Sequence, residues 1–313
     1  MRNIVYAIES VLYNTVLKVL WWRRPKYHKE YRVSAVTIFK DEARFLSEWL
    51  EYHIMTGFDH FYMYNNNSTD DYENVLRPYI QNGIVTLIQW PQEHGQIAAY
   101  QHFYENYRSR TQWIAFLDMD EFVVPRYKTD INEWIKNYEK YPSILVYWKM
   151  FGTSGKMHHD DHRLTIEQYT VCHDGFATHW GKCFVNTDYD IAFFNDTVNH
   201  RAIVLGNFMG FKIKIQPVNQ FKRFVVSQYH LSWLGEKKPS IQINHYWSKA
   251  WDVYDIKRNR SDATFKENPR RNMSYFYHDE HRCITSDYSI FRFLMQLKLQ
   301  MKEKGLYPLD KKN

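Results

Sequence analysis

Glycine and proline are scarce in this chain, 11 and 9 of 313 residues, about half their ordinary combined share. That excludes collagen-like, linker-rich and low-complexity architectures. Cysteine is scarcer still: Cys172, Cys183 and Cys283 are an odd three without C-x-x-C spacing, which fits neither a disulfide framework nor a zinc site. They read as small buried side chains in a reducing compartment such as the cytoplasm. Long apolar runs are also missing. Residues 3–22 are apolar and aromatic, but Glu9, Asn14 and Lys18 interrupt them, and the longest uncharged stretch is the eight residues 10–17, far short of the roughly 20 a bilayer span requires. The thin basic start and the lack of a small-residue cleavage site argue against a signal peptide. What the chain does have is rings, 11 Trp, 25 Tyr and 20 Phe, within an apolar share of 44%, a composition that excludes general disorder.

The net charge of +6 is unevenly placed. Residues 1–32 carry seven Lys/Arg against two Glu, and residues 298–313 carry five Lys against two acids, so the body between them is slightly acidic. This balance argues against nucleic-acid binding by that body. In the first segment Val5, Ile8, Val11, Leu12, Thr15, Val16, Val19 and Leu20 recur at helical spacing, followed by Trp21, Trp22, Arg23 and Arg24. Aromatic rings beside a basic cluster suit the headgroup boundary of an anionic membrane. Residues 1–32 are therefore expected to form an amphipathic, basic, membrane-associating segment; packing of the same helix on the body is the alternative.

From residue 33 the hydrophobic period alternates. Strands are expected at 33–39, 60–64, 83–90 and 113–117, and helices at 41–56, from Ser68, Thr69 or Asp70 toward 82, and at 96–110. This rhythm predicts an α/β fold with a mostly parallel sheet, whose ligands bind beyond the carboxyl ends of the strands. A helix at 131–141 and a strand at 143–151 follow. Residues 152–245 read as short strands and long loops forming an irregular acceptor-side layer, and 286–304 as a final helix before a basic tail. The expected organisation is an N-terminal segment 1–32, a catalytic domain 33–285 and a C-terminal helix and tail 286–313.

Beyond the fourth strand lies Asp118-Met119-Asp120-Glu121. Alternation places Asp118 and Asp120 on one side, and paired carboxylates there favour Mg²⁺ or Mn²⁺, ions that keep waters and take phosphate oxygens as further ligands. Lys40, Glu42 and Asn65 fall at the ends of the first two strands, on the edge where such a sheet binds its ligands. Gln96 opens the third helix.

Lys40-Asp41-Glu42, Leu46-Ser47-Glu48-Trp49-Leu50-Glu51-Tyr52-His53, Gly57-Phe58-Asp59-His60-Phe61, Asn67-Ser68-Thr69-Asp70-Asp71, Phe116-Leu117-Asp118-Met119-Asp120-Glu121-Phe122 and His245-Tyr246-Trp247-Ser248-Lys249 occur in that order. Together they resemble glycosyltransferase family 92 and related family 2-like enzymes over about residues 35–260. The resemblance implies a GT-A fold, a nucleotide-sugar donor, a divalent metal and an inverting transfer. It implies catalytic and metal-binding roles for Asp118, Asp120 and His245, with Lys249 and Lys182 as cations on the diphosphate, Lys40, Glu42 and Asn65 at the donor's base and ribose, and Gln96 at a phosphate or the ribose. Each assignment has a structural counterpart: a core histidine at 245, solvated lysines, a turn-shaping Asn65, a helix-facing Glu42. The general base is left open among Asp161, Glu167, Asp174 and Glu236.

The expected function is metal-dependent transfer of a hexose from a UDP-linked donor to a glycan or lipid-linked acceptor at the cytoplasmic membrane face, as in polysaccharide biosynthesis. A nucleotide-sugar- or glycan-binding protein without turnover and a metal-dependent phosphohydrolase are the alternatives. Two further clusters, His158-His159-Asp160-Asp161-His162 and His278-Asp279-Glu280-His281, lack ligand spacing and read as solvated surface.

Overall fold

The computed structural model describes residues 2–24, 28–195, 197–225, 238–260, 262 and 266–307. Helix α1 (Arg2–Arg23) precedes an alternating unit of β1 (Tyr31–Phe39), α2 (Ala43–Met55), β2 (His60–Asn65), α3 (Tyr72–Gln81), β3 (Val85–Gln89), α4 (Gln96–Tyr107) and β4 (Thr111–Phe116). The chain continues through β5 (Glu121–Pro125), α5 (Ile131–Ile135), β6 (Ser143–Met150), α6 (Thr165–Gln168), β7 (Val171–His173) and β8 (Ala177–Asn186). Then come β9 (Asp190–Ile191), β10 (Val204–Phe208), β11 (Phe211–Ile215), β12 (Val218–Asn219) and β13 (Ile241–His245). The last elements are α7 (Trp251–Asn259), α8 (Met273–Glu280), β14 (Cys283–Ser286) and α9 (Phe291–Glu303).

The central sheet runs β3-β2-β1-β4-β8-β6-β13-β5, with β12 beside β6. β3, β2, β1 and β4 are parallel, as are β6 and β13, while β8 and β5 enter antiparallel. Mostly parallel strands covered by helices are the α/β arrangement the sequence rhythm predicts. β1 shows why: its β-branched, apolar run is buried from Val33 to Phe39 on both faces, the pattern of a central parallel strand.

Several boundaries differ from expectation. The helix expected at 131–141 ends at Ile135 and tightens into a 3₁₀ turn at Lys136–Tyr138. Asp70 caps a different helix from the one expected: its Oδ2 accepts from Ala43 N at 2.7 Å, at the start of α2, and Asp71 precedes α3 instead. Ser68 Oγ likewise accepts from Asp41 N. The loops after β1 and β2 are thus tied together, which steadies the strand ends where a ligand would sit. Strands β5 and β13 and helices α7 and α8 add elements that apolar periodicity alone did not mark. Cys172 and Cys183 are buried, whereas Cys283 is half-exposed.

The rings are mostly core. Trp49, Trp113, Tyr52, Tyr62, Tyr64 and Tyr100 are among the largest fully buried side chains. α9 joins that same core through Phe293, Leu297 and Met301, and two basic residues of the C-terminal region pair with the body, Lys298 with Glu167 at 2.7 Å and Lys304 with Glu51 at 2.8 Å. α1 carries apolar side chains on both its inner and its outer face, not on one face as expected. Leu17 and Leu20 are buried against the body, while Ile8, Val11, Leu12 and Trp22 are exposed. No helix among the described residues is long and apolar enough to cross a membrane.

Candidate functional site

β4 leads directly into the acidic turn. Leu117 N still bonds Val36 O, then Glu121 N returns to Asp118 O at 3.1 Å and opens β5. Tyr246 N donates to Asp120 O at 2.8 Å, which draws the end of β13 against the same turn. A cleft of about 890 Å³ lies over these strand ends, and Lys40, Glu42, Gln96, Asp118, Asp120 and His245 are among its lining residues. Six of the nine expected catalytic and donor-binding residues therefore share one cavity.

The carboxylates are held by specific partners. Asp118 takes Lys182 Nζ on Oδ2 at 2.9 Å and Gln96 Nε2 on Oδ1 at 3.2 Å. Asp120 takes Lys257 Nζ on Oδ2 at 2.9 Å and faces His245 Nε2 from Oδ1 at 3.3 Å. Burial would raise the Asp120 carboxyl, but the Lys257 ammonium and His245 hold it well below the usual carboxylate range. Burial likewise works against ionisation of Asp118, where Lys182 prevails and lowers it. Glu121 is the exception: burial pushes it well above the usual value despite Lys182, and its Oε2 accepts from Asp118 N. It orients the turn from behind. Glu42 is buried beneath the cleft with Lys257 at 4.0 Å and Arg260 at 2.6 Å.

Lys182 is fully buried behind Asp118, away from the cleft lining. Gly181 makes this possible, because a Cβ there would run into the Val146 carbonyl; without one, β8 lies close against β6. Asn65 closes the turn after β2, donating to Gln89 Oε1 at 2.7 Å and accepting from Ser68 N at 3.0 Å. Its neighbour Asn66 lines the cleft instead. Lys249 is buried at a positive φ of 53°. Its ammonium lies 4.1 Å over the Phe45 ring and has no hydrogen-bond partner. Burial, then the nearby Lys257 charge, pull its pKa down to about 7. Between the unfolded value of 10.5 and about 7, the unfolded chain binds a proton there that the folded chain refuses, so this residue costs stability as pH falls through that window. Lys249→Met is expected to stabilise the protein by roughly 1–3 kcal/mol at pH 8, a gain that fades toward pH 10. Thermal melts at the two pH values check it.

None of the described general-base candidates lines the cleft. Asp161 is exposed and paired with Arg44, Glu167 is paired with Lys298 and Arg163, and Asp174 is exposed; Glu236 lies outside the described residues. The stretch at 278–281, expected to be plain surface, instead supplies His278 and Asp279 to the far wall of the cleft. Asp279 Oδ1 faces His173 Nε2 at 3.2 Å, and its Oδ2 is buried without a hydrogen-bond partner. Trp148, Trp180 and His200 form an aromatic wall in the cleft lining beside His245. Trp148 lies 4.4 Å from His245, ring to ring, and 5.2 Å from His200. Burial lowers His200 to about 3, so this ring is neutral.

Lys257, Arg260 and the aromatic wall were not singled out from sequence, and Asp279 was noted there only as part of a surface cluster. Lys257 lies in the last turn of α7 and Arg260 just past its end, and both line the cleft. For a divalent ion the donor chemistry is suitable, since Asp120 and His245 already face each other and Asp118 opens into the same cleft. Among the described residues no three His, Cys, Asp or Glu groups converge on one point, so such an ion would share its coordination with phosphate oxygens and water.

The family profile of glycosyltransferase family 92 matches residues 29–280. The chain belongs to glycosyltransferase family 92. A family 92 protein of Ricinus communis is 25% identical over 246 residues, covering 76% of this chain and 39% of its own length. The galactan beta-1,4-galactosyltransferase GALS2 of Arabidopsis thaliana is 26% identical over 150 residues, 45% of this chain and 28% of its own. Staphylococcus aureus TarS, solved with UDP-GlcNAc, superposes over 50% of this chain and 45% of its own with a TM-score of 0.36 and 13% identity. The chain spans about two fifths of the length of the first of these curated relatives.

Proposed function

We propose that this chain transfers a hexose from a UDP-linked donor to a glycan or lipid-linked acceptor at the cytoplasmic face of a membrane, with inversion at the sugar carbon. The observation that carries this reading is the placement of Asp118 and Asp120 at the carboxyl end of β4, on the floor of the cleft. Mn²⁺ or Mg²⁺ would be held by Asp120 and His245, with Asp118 beside them, and when bound it supplies Lewis acidity to a departing diphosphate. Lys40 and Gln96 face the nucleotide half of the cleft. Lys257 and Arg260 bring fixed positive charge to the place where the leaving group gains negative charge, in a site that does not have to reorganise. Beside His245 the aromatic faces of Trp148 and Trp180 suit a sugar ring.

In the transfer the acceptor oxygen bonds to the anomeric carbon as that carbon's bond to the phosphate oxygen breaks. The acceptor proton passes to the Asp279–His173 pair, which combines a free carboxylate oxygen with an orienting imidazole. The name of the Arabidopsis relative makes galactose the first sugar to test. Purified protein with UDP-galactose, UDP-glucose or UDP-GlcNAc and Mn²⁺ is expected to release UDP slowly without acceptor, and EDTA should stop it. Metal-dependent nucleotide binding with no release from any donor would favour a binding protein. Phosphate release from simple esters would favour a phosphohydrolase.

A further inference from the structure

We propose that α1 and the β10–β11 hairpin together form one docking face for an anionic lipid surface; this rests on the membrane location in the proposed function and identifies the surface responsible. The helix is fastened to the body by its inner side. Tyr13 donates to Gln216 O at 2.6 Å, the Tyr6 and Tyr13 rings stack on Phe224 at 4.7 and 5.1 Å, and Leu20 fills the space left by Gly206 in β10. A helix clamped this way has no structural need of apolar side chains on its outer side. It has them nonetheless: Ile8, Val11, Leu12 and Trp22 are 57%, 66%, 62% and 81% exposed, along one stripe. The hairpin it crosses repeats the pattern, with Met209 and Phe211 at the tip 68% and 74% exposed.

Charge selects the partner. Residues 201–225 hold Arg201, Lys212, Lys214, Lys222 and Arg223 and no acid, while α1 adds Arg2, Lys18 and Arg23 against Glu9 alone. Lys18, Arg23, Lys212, Lys214 and Lys222 are exposed. Large apolar side chains ringed by lysine and arginine suit insertion at the headgroup–acyl boundary, with the cations on anionic headgroups. A second copy of the chain would present the same positive ring and be repelled. None of these residues lines the cleft, so docking leaves the site open to its substrates.

The test is co-sedimentation of the full chain with phosphatidylcholine vesicles, with and without phosphatidylserine. Binding is expected only with phosphatidylserine and should weaken with salt. Leu12→Asp in the helix and the double change Met209→Asp/Phe211→Asp at the hairpin tip should each lower partitioning about tenfold or more, with UDP release from the donor unchanged. Parental binding by the hairpin variant overturns the joint face, as does salt-insensitive binding to phosphatidylcholine alone. Lipid-free dimerisation lost in both variants would make the face a self-association surface instead. A chain inert toward every donor that still bound vesicles through both elements would defeat the transfer reading and leave this one standing.

Discussion

Asp120→Asn is expected to reduce donor turnover on the order of 10²–10³-fold, with UDP release as the readout. The change is nearly isosteric, yet it removes the charge that faces His245 at 3.3 Å and that Lys257 neutralises at 2.9 Å. It also strands a buried ammonium, since the only other carboxylate shown beside Lys257 is Glu42 at 4.0 Å, itself engaged by Arg260. Losing one member of such a pair costs about 3 kcal/mol, so the denaturation midpoint should fall as well. The double variant Asp120→Asn/Lys257→Met separates the effects: stability returns and turnover does not. The carboxyl of Asp120 is held below its unfolded value, so its stabilising contribution is present at neutral pH and is lost as pH falls below about 4. That acid-side slope should be shallower in Asp120→Asn. Undiminished turnover in the single variant would remove Asp120 from the chemistry.

The strand–helix rhythm from 33 to 117 was legible because each element carries its own period, and the parallel half of the sheet follows from it. The acidic turn was legible for the same reason: Asp118 and Asp120 fall just past a strand whose apolar run defines its end. Strand β8 illustrates what was not. Its residues 182–185 form a short apolar run, but its insertion antiparallel between β4 and β6 depends on Gly181 passing the Val146 carbonyl, a long-range fit with no local signal.

The cations divide similarly. Lys182 and Lys249 were expected to contact the diphosphate directly, but neither is in the cleft lining, where Lys257 and Arg260 join the expected Lys40. Helical spacing records that α7 has a face, whereas the partner of that face is set by tertiary packing. The 278–281 stretch shows the converse: polar composition reads as surface, and a cleft wall is also surface. Only the fold brings Asp279, on α8, to His173, on β7.

Asp279→Asn is expected to slow transfer to an acceptor on the order of 10²–10⁴-fold, while acceptor-independent UDP release and UDP binding stay near parental levels. Among the described carboxylates lining the cleft, Asp118 and Asp120 are committed to cations and an amide, and Glu42, whose Oε2 also lacks a hydrogen-bond partner, is held through Oε1 by Arg260 with Lys257 nearby. Asp262 is paired with Arg270 at 2.9 Å. Asp279 keeps a buried Oδ2 with no hydrogen-bond partner, and His173 faces its other oxygen at 3.2 Å. The asparagine fits the same space and still meets His173, but its amide cannot take a proton at neutral pH. The loss should therefore appear in kcat with little change in donor KM, and Asp262→Asn should lack it. Product stereochemistry supplies the independent check, because inversion requires a base at the acceptor hydroxyl. A product that kept the donor's anomeric configuration, or an Asp279→Asn enzyme with parental transfer, would remove Asp279 from that role.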